Sequence, residues 1–441
     1  MAEKTSMLPE YASDGLIACR ACDCLHRIVD VPPRGRAFCR RCGVMLYRNM
    51  PHSLDHSSAL YLAAMILLLM ANSFPFVALQ FGDRSEPSLL ISGGVALQQA
   101  GMGATGMLVA LTSVVFPFIT ITGMLYLLLP LRFGLRPPRM TLVWRMVRAL
   151  TPWSLLGVFM LGLLVSIVKL QDMAAIVPGV AFHAFIGLLI VSTAATASFD
   201  PAALWPRMGP VASGPVASRI ASGGALVSAA DLGYATCHTC DLLVRHEPGD
   251  AAHSCPRCGS AIHGMRFPDS VARTWALLGS AALLLLPANL YPVMTVSRFG
   301  LGEPSTILSG VLHLIADGAW PLGLLVLFAS FVVPISKITV LTFLLLSLQR
   351  GSTWRLRDRT RLYRITEVVG AWSMVDIFLV GILVALVRMD GLAVVHPGIG
   401  ASFFGAAVVL TMLAAHAFDP RLLWDGAGPR DGATVAAGVA P

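Results

Sequence analysis

Phe328-Ala-Ser-Phe-Val-Val-Pro-Ile-Ser-Lys-Ile-Thr-Val-Leu-Thr-Phe-Leu-Leu-Leu346 decides the fold, because it is apolar enough for a membrane-spanning helix yet carries a lysine at its centre. Lys337 is one of three lysines, with Lys4 and Lys169. An ammonium in mid-span costs roughly 2.5–3.5 kcal/mol on insertion, so it faces a partner or a wet cavity rather than lipid.

Working outward, seven more segments have the roughly 20 apolar residues that cross a hydrocarbon core. The full set is Ser57–Leu79, Ala104–Leu131, Ala149–Leu170, Val180–Ser198, Ala272–Val296, Trp320–Leu348, Val368–Val387 and Gly398–Ala417. A chain of 441 residues with 56% hydrophobic and 13% charged residues is an integral membrane protein rather than a soluble one. The N-terminal stretch lacks a short apolar core with a small-residue cleavage site, so the first span is expected to act as its own insertion signal.

The net charge of +8 does not point to nucleic acid, because its arginines cluster between spans. Arg132, Arg136, Arg139, Arg145 and Arg148 fall between the second and third, and Arg350, Arg355, Arg357, Arg359, Arg361 and Arg364 between the sixth and seventh. Opposite loops, such as Phe81–Pro87 and Arg298–Pro304, are short and carry acids beside their single arginines. The positive-inside rule then makes the basic loops, and with them both termini, cytoplasmic.

Two cysteine modules flank this framework. Residues 16–48 hold Cys19-Arg-Ala-Cys22 and Cys39-Arg-Arg-Cys42-Gly43, and residues 234–267 hold Cys237-His-Thr-Cys240 and Cys255-Pro-Arg-Cys258-Gly259. Paired Cys-x-x-Cys at ribbon spacing, each second pair followed by glycine, predicts two structural Zn²⁺ sites with four thiolates each. Disulfides and thiol redox chemistry are disfavoured in a reducing cytoplasm. Cys24 has no counterpart in the second module and reads as a spare thiol, while His26, His238 and His253 read as solvated.

The rest of the chain is duplicated. Ala71-Asn72-Ser-Phe-Pro75 matches Ala288-Asn289-Leu-Tyr-Pro292, Ser92-Gly93 matches Ser309-Gly310, and Val115-Phe-Pro117 aligns with the segment ending at Pro334. Trp153-Ser154 matches Trp372-Ser373, Pro178-Gly179 matches Pro397-Gly398, and Phe199-Asp200-Pro201 matches Phe418-Asp419-Pro420. The expected architecture is an all-α polytopic membrane protein of two tandem modules, each a small β-rich zinc ribbon followed by a four-helix bundle. The bundles cover residues 57–205 and 272–424, with a flexible linker at 206–233 and a disordered tail at 425–441. Asn72, Pro75, Asn289 and Pro292 are expected to shape helix ends, and Pro117 and Pro334 to kink their helices. The amphipathic stretches Leu89–Leu97 and Thr306–Leu314 are expected either along the membrane surface or packed on the bundle.

Counting inward from the basic loops puts Lys337 about 15 Å deep at 1.5 Å per residue, and Asp376 on the next span at matching depth. Ser336 and Ser373 are placed to add hydrogen bonds. The first-half equivalents are Thr120 for Lys337, Ile119 for Ser336 and Gly157 for Asp376, so only the second half has a charged centre. Two roles stay open: an ion pair that fixes helix register, and a polar site for a lipid headgroup or a proton-coupled switch. Neither a P-loop nor G-x-S-x-G nor H-E-x-x-H occurs, and no enzymatic activity is expected.

The doubled ribbons, the Asn-x-aromatic-Pro ends, Val-Gly-Ala-Trp372-Ser373-Met-Val-Asp376-Ile-Phe and the Phe-Asp-Pro closures together resemble the paraquat-inducible protein A family. The resemblance implies a Gram-negative inner-membrane protein working with a periplasmic MCE-domain partner to move phospholipid between membranes. It also implies a polar pocket in the second half, which fits Ser336, Lys337 and Asp376. Two alternatives are a non-transporting scaffold that anchors or gates the partner, and a membrane thiol-redox protein.

Overall fold

The computed structural model describes residues 16–81, 84–170, 175–205, 227–245, 253–262, 266–267, 269–298, 301–316, 318–386, 388–389, 393–426 and 438–440. Eight of its helices are long and apolar enough to span a membrane: Ser53–Ser73, Gly103–Arg132, Met140–Val168, Val180–Ser198, Ser270–Leu290, Trp320–Gln349, Leu356–Ala385 and Ile399–Ala417.

Two ends differ from expectation for one reason. The first and fifth helices stop at Ser73 and Leu290, and the chain turns extended just before Pro75 and Pro292. A residue before proline is pushed out of the helical region. Beyond each proline, Val77–Phe81 and Met294–Arg298 are strands, so the expected limits Leu79 and Val296 overshoot. Each strand sits centrally in a small antiparallel sheet, between Arg84–Ser88 and Ala175–Pro178 in the first half, and between Leu301–Ser305 and Ala393–Pro397 in the second. The third and seventh spans begin earlier than expected, because basic amphipathic helices run into them through short tight turns at Thr151–Trp153 and Gly370–Met374.

Pro117 and Pro334 are accommodated by a widened turn rather than a bare kink. Leu111–Val115 and Phe328–Val332 are π-helical, with Phe116 N–H donating to Leu111 O and Val333 N–H to Phe328 O. The wider turn carries the helix past a residue that cannot donate. The amphipathic helix Ser92–Gln99 packs on the bundle, against Gly103–Ala110 and Val375–Leu386. A Cβ added at Gly94 would lie 2.9 Å from Gly106 O, so only glycine permits that approach.

The matched motifs close each half on itself. Ser53 Oγ donates to Ser198 O at 3.1 Å and accepts from Asp200 N–H at 2.7 Å, while Ser270 Oγ donates to Ala417 O at 2.7 Å and accepts from Asp419 N–H at 3.0 Å. First and fourth helices of each half are thereby joined at one end. At the other, a Cβ on Gly179 or Gly398 would stand 2.1 Å from Pro75 O or Pro292 O, which explains the repeated Pro-Gly.

Asp419 and Arg421 are both buried, and the Arg421 guanidinium clasps the carboxylate through Nε at 2.9 Å and Nη2 at 2.7 Å. Burial opposes the charge, but Arg421 and nearby backbone N–H groups outweigh it and hold Asp419 below the usual carboxylate range. A depressed folded value contributes stability above the unfolded pKa of about 3.9 and loses it as pH falls through the folded value. Asp419→Ala strands a buried cation and should cost about 3–5 kcal/mol, read by thermal unfolding of the purified chain at neutral pH. The cost should shrink as wild type is acidified.

The linker end and the tail both join the first ribbon. Leu25 N–H donates to Val227 O and Ala229 N–H to Asp23 O, and Gly438–Ala440 pairs with Arg36–Phe38. The expected disorder at 425–441 and flexibility at 206–233 otherwise fall mainly on 427–437 and 206–226, outside the described residues.

Candidate functional site

Each cysteine module places two short hairpin knuckles face to face. After every Cys-x-x-Cys the chain turns through a positive φ, at Asp23 (58°), Gly43 (77°), Asp241 (57°) and Gly259 (68°). The amides of those residues donate back to Cys19, Cys39, Cys237 and Cys255 carbonyls at 2.8–2.9 Å. The glycines are the sequence signal for this turn. The aspartates do the same work, since Asp tolerates the left-handed region better than most side chains.

The turns bring Cys19, Cys22, Cys39 and Cys42 into one cluster and Cys237, Cys240, Cys255 and Cys258 into another, all sulfurs of each within 4.8 Å of one another. The closest pairs are 3.4 Å for Cys19 and Cys42, and 3.5 Å for Cys22 and Cys39, Cys237 and Cys258, and Cys240 and Cys255. A tetrahedral ion with arms of 2.3 Å needs edges of about 3.8 Å, so both clusters fit a four-thiolate metal ion. Such an ion would supply the positive charge that lets four buried sulfurs ionise together. Burial and neighbouring sulfurs push Cys22 up, whereas hydrogen bonds from Cys19 and Cys22 hold Cys39 down.

Of the histidines, His238 is exposed as expected and His26 is not. His26 is fully buried with Nε2 3.1 Å from Cys39 Sγ. His238 stacks on Phe267 at 4.2 Å and lies 3.3 Å from Arg421 Nη2. The side chain of His253 is outside the described residues. Cys24 is buried in a bridge to Ser228, which gives it a packing role under the linker end.

The ribbons are locked to each other and crossed over the bundles. Arg20 pairs with Asp241, and Arg266 with Asp23 at 2.9 Å. Ribbon 1 sets Arg41 over Trp424 of the second half at 4.9 Å, and its Arg40 and Arg41 carbonyls accept from Arg357. Ribbon 2 sets Arg257 over Trp205 of the first half at 5.3 Å, where Trp144 Nε1 donates to Thr239 O at 3.2 Å. Each closing Leu-Trp pair, Leu204-Trp205 and Leu423-Trp424, thus receives an arginine from the other half's ribbon.

Within the membrane, Lys337 is 2% exposed. Its Nζ donates to Thr411 Oγ1 at 3.3 Å, on the eighth span. A Cβ at Gly370 would lie 2.6 Å from both Cε and Nζ, so the ammonium presses on bare backbone of the seventh span. Thr411 and Gly370 were missed in the sequence, where hydroxyls and glycines abound in apolar helices and nothing marks these two. Ser336 and Ser373, expected to serve Lys337, instead donate to Val333 O and Gly370 O of their own helices at 2.8 Å each. Asp376 is buried two residues past the Gly370–Met374 turn, on the helix Val375–Leu386 packed against Leu156–Leu170. Thr120 is buried and donates to Pro117 O at 3.0 Å. Asn72 and Asn289 donate to Leu68 O and Leu285 O at 2.8 Å, satisfying helix-end carbonyls.

Gly370→Ala should displace the ammonium rather than unfold the chain, because the clashing atoms end a flexible side chain. Stability should fall by about 1–3 kcal/mol by thermal unfolding, while function drops as far as for a direct Lys337 substitution.

Residues 54–209 and 271–427 each match the family described as paraquat-inducible protein A. The chain is 33% identical over 413 residues to the intermembrane transport protein PqiA of Escherichia coli K12, covering 93% of this chain and 95% of that one. It is 31% identical over 412 residues to the lipophilic envelope-spanning tunnel protein A of the same organism, covering 92% and 90%. It is 26% identical over 410 residues to a probable intermembrane transport protein of Haemophilus influenzae, covering 93% and 95%. No solved structure matches the chain. These relatives are named for transport or for a tunnel and none for an enzyme; with eight candidate spans, two four-cysteine clusters and a match over both halves, this multi-pass membrane chain belongs to the paraquat-inducible protein A family.

Proposed function

We propose that the chain is the inner-membrane component of an intermembrane phospholipid transport system in a Gram-negative bacterium, built as two tandem modules with both termini and both ribbons cytoplasmic. It hands lipid to, or takes it from, a periplasmic MCE-domain partner. The observation that carries this reading is Lys337, a fully enclosed ammonium in mid-span held by Thr411 against Gly370. Intramembrane ionisable groups are expensive and mark substrate or proton pathways. The relatives' names, intermembrane transport and envelope-spanning tunnel, support the direction of the reading. Lys337, Asp376 and Thr411, with Ser336 and Ser373 on the same spans as Lys337 and Asp376, form the polar site of the second half, and Thr120 is the first-half counterpart of Lys337. The ribbons hold structural Zn²⁺, an ion whose tetrahedral four-sulfur preference suits both clusters.

The competing scaffold reading differs in what it tolerates. In cells lacking the chain, Asp376→Ala at normal expression should fail to restore the envelope barrier to lipophilic compounds. Full restoration would favour a scaffold that only anchors the partner.

A further inference from the structure

A cavity of about 670 Å³ lies in the first half between the second, third and fourth spans, and ribbon 1 covers one side of it. The volume is within the 300–1,000 Å³ typical of small-molecule sites. Its position follows from the duplication. Thr120, Gly157, Ser192 and Thr151 line it, and at the registers of the matched motifs these are the counterparts of Lys337, Asp376, Thr411 and Gly370. In the second half the Lys337 side chain fills that place and reaches Thr411. In the first half a threonine stands there, too short to fill it, and the space is open.

The lining has two chemistries. Tyr61, Ile121, Met124, Val147 and Leu189 make an apolar wall at membrane depth. Arg20, Arg48 and Arg148 stand at the ribbon end beside the carboxylates of Asp200 and Asp241, the latter paired with Arg20. Arg48 donates to Phe199 O, and Arg148 lies over the Trp144 ring at 5.9 Å. Among the described residues, Arg148 has no carboxylate within 4.0 Å. A guanidinium edge beside an apolar slot suits an amphiphile with a phosphate head.

We propose that the cavity binds one phospholipid from the ribbon-side leaflet, its phosphate at Arg148 and Arg48 and an acyl chain along Ile121, Met124 and Leu189. The second half then holds the polar gate and the first half a lipid-binding place of the same ancestry. The idea rests on the membrane and lipid part of the proposed function, and its test is separable from it.

The full chain is reconstituted in phosphatidylethanolamine–phosphatidylglycerol vesicles with a trace of phosphatidylglycerol carrying a diazirine on one acyl chain. After illumination, adducts are mapped by mass spectrometry. Adducts should fall on peptides 120–124 and 189–196, and Thr120→Trp and Gly157→Leu should each lower them about tenfold by occupying the slot. Adducts on the outward-facing Leu62, Ile66 and Leu69 should stay constant in both variants and report intact insertion. A diazirine diacylglycerol, which lacks phosphate, should label the cavity several-fold less. Absence of cavity adducts in wild type, adducts unchanged by both fillings, or equal labelling by the diacylglycerol would each overturn the proposal. Cavity labelling that persists while Lys337 variants transfer lipid normally would fell the transport role of Lys337 and leave this site standing.

Discussion

With zinc in both four-cysteine clusters, as proposed, Cys255→Ser should release one of the two ions and unfold more than its own ribbon. A structural four-thiolate zinc contributes folding free energy outright, about 10–16 kcal/mol in isolated finger peptides at neutral pH. Ribbon 2, residues 234–267, has only two-stranded sheets among its described residues and little core of its own, so a bound ion would hold it together. Ribbon 2 in turn covers the first bundle, through Thr239 on Trp144, Gly259 on Arg145 and Arg257 on Trp205. It also carries Arg266 and Asp241, the partners of Asp23 and Arg20 in ribbon 1. The expected result is zinc falling from about two to about one per chain by elemental analysis, with proteolysis opening at both ribbons. Thiols should stay unreactive until chelation. Wild-type metal content and protease resistance in the variant would remove the structural role, and rapid thiol–disulfide cycling without metal would favour redox chemistry.

The spans, their number and the cysteine clusters were legible because each is written in strong local chemistry: long apolar runs, and thiols at fixed spacing followed by glycine. The helix ends at Pro75 and Pro292 were legible as ends, but the strands after them were not. Val77–Phe81 and Met294–Arg298 directly follow the apolar run, and they become strands by pairing with the adjacent 84–88 and 301–305 and with the distant 175–178 and 393–397. The surroundings of Lys337 were half legible. Burial follows from a lone lysine in an apolar helix, whereas its acceptor Thr411 is 74 residues away and looks like any hydroxyl in a span. The crossing of the ribbons left no sequence signal, because Arg41 and Arg257 are two arginines among many in basic segments.

Lys337→Met is the substitution with the largest expected effect on function. Methionine matches the length of the stem and removes the ammonium, so packing against Gly370 is kept and desolvation is relieved. Replacing a buried charge with a well-packed apolar group is often neutral or stabilising by about 1–4 kcal/mol. The variant should therefore be as stable as wild type or more so, yet inactive. Lys337→Ala should be equally inactive but less stable, since it leaves a void beside Thr411. If Lys337 served only helix register, stability and function would move together across the two variants. A transport role separates them.

The central claim is that this enclosed ammonium acts on lipid during transport. The measurement that tests it most directly is the initial rate of labelled phospholipid transfer between donor and acceptor vesicles, with the chain and its periplasmic partner reconstituted together. Lys337→Met should transfer about tenfold or more slowly than wild type, about 1.4 kcal/mol in the limiting barrier, at an unfolding midpoint no lower than wild type. Transfer by Lys337→Met at the wild-type rate would contradict the account.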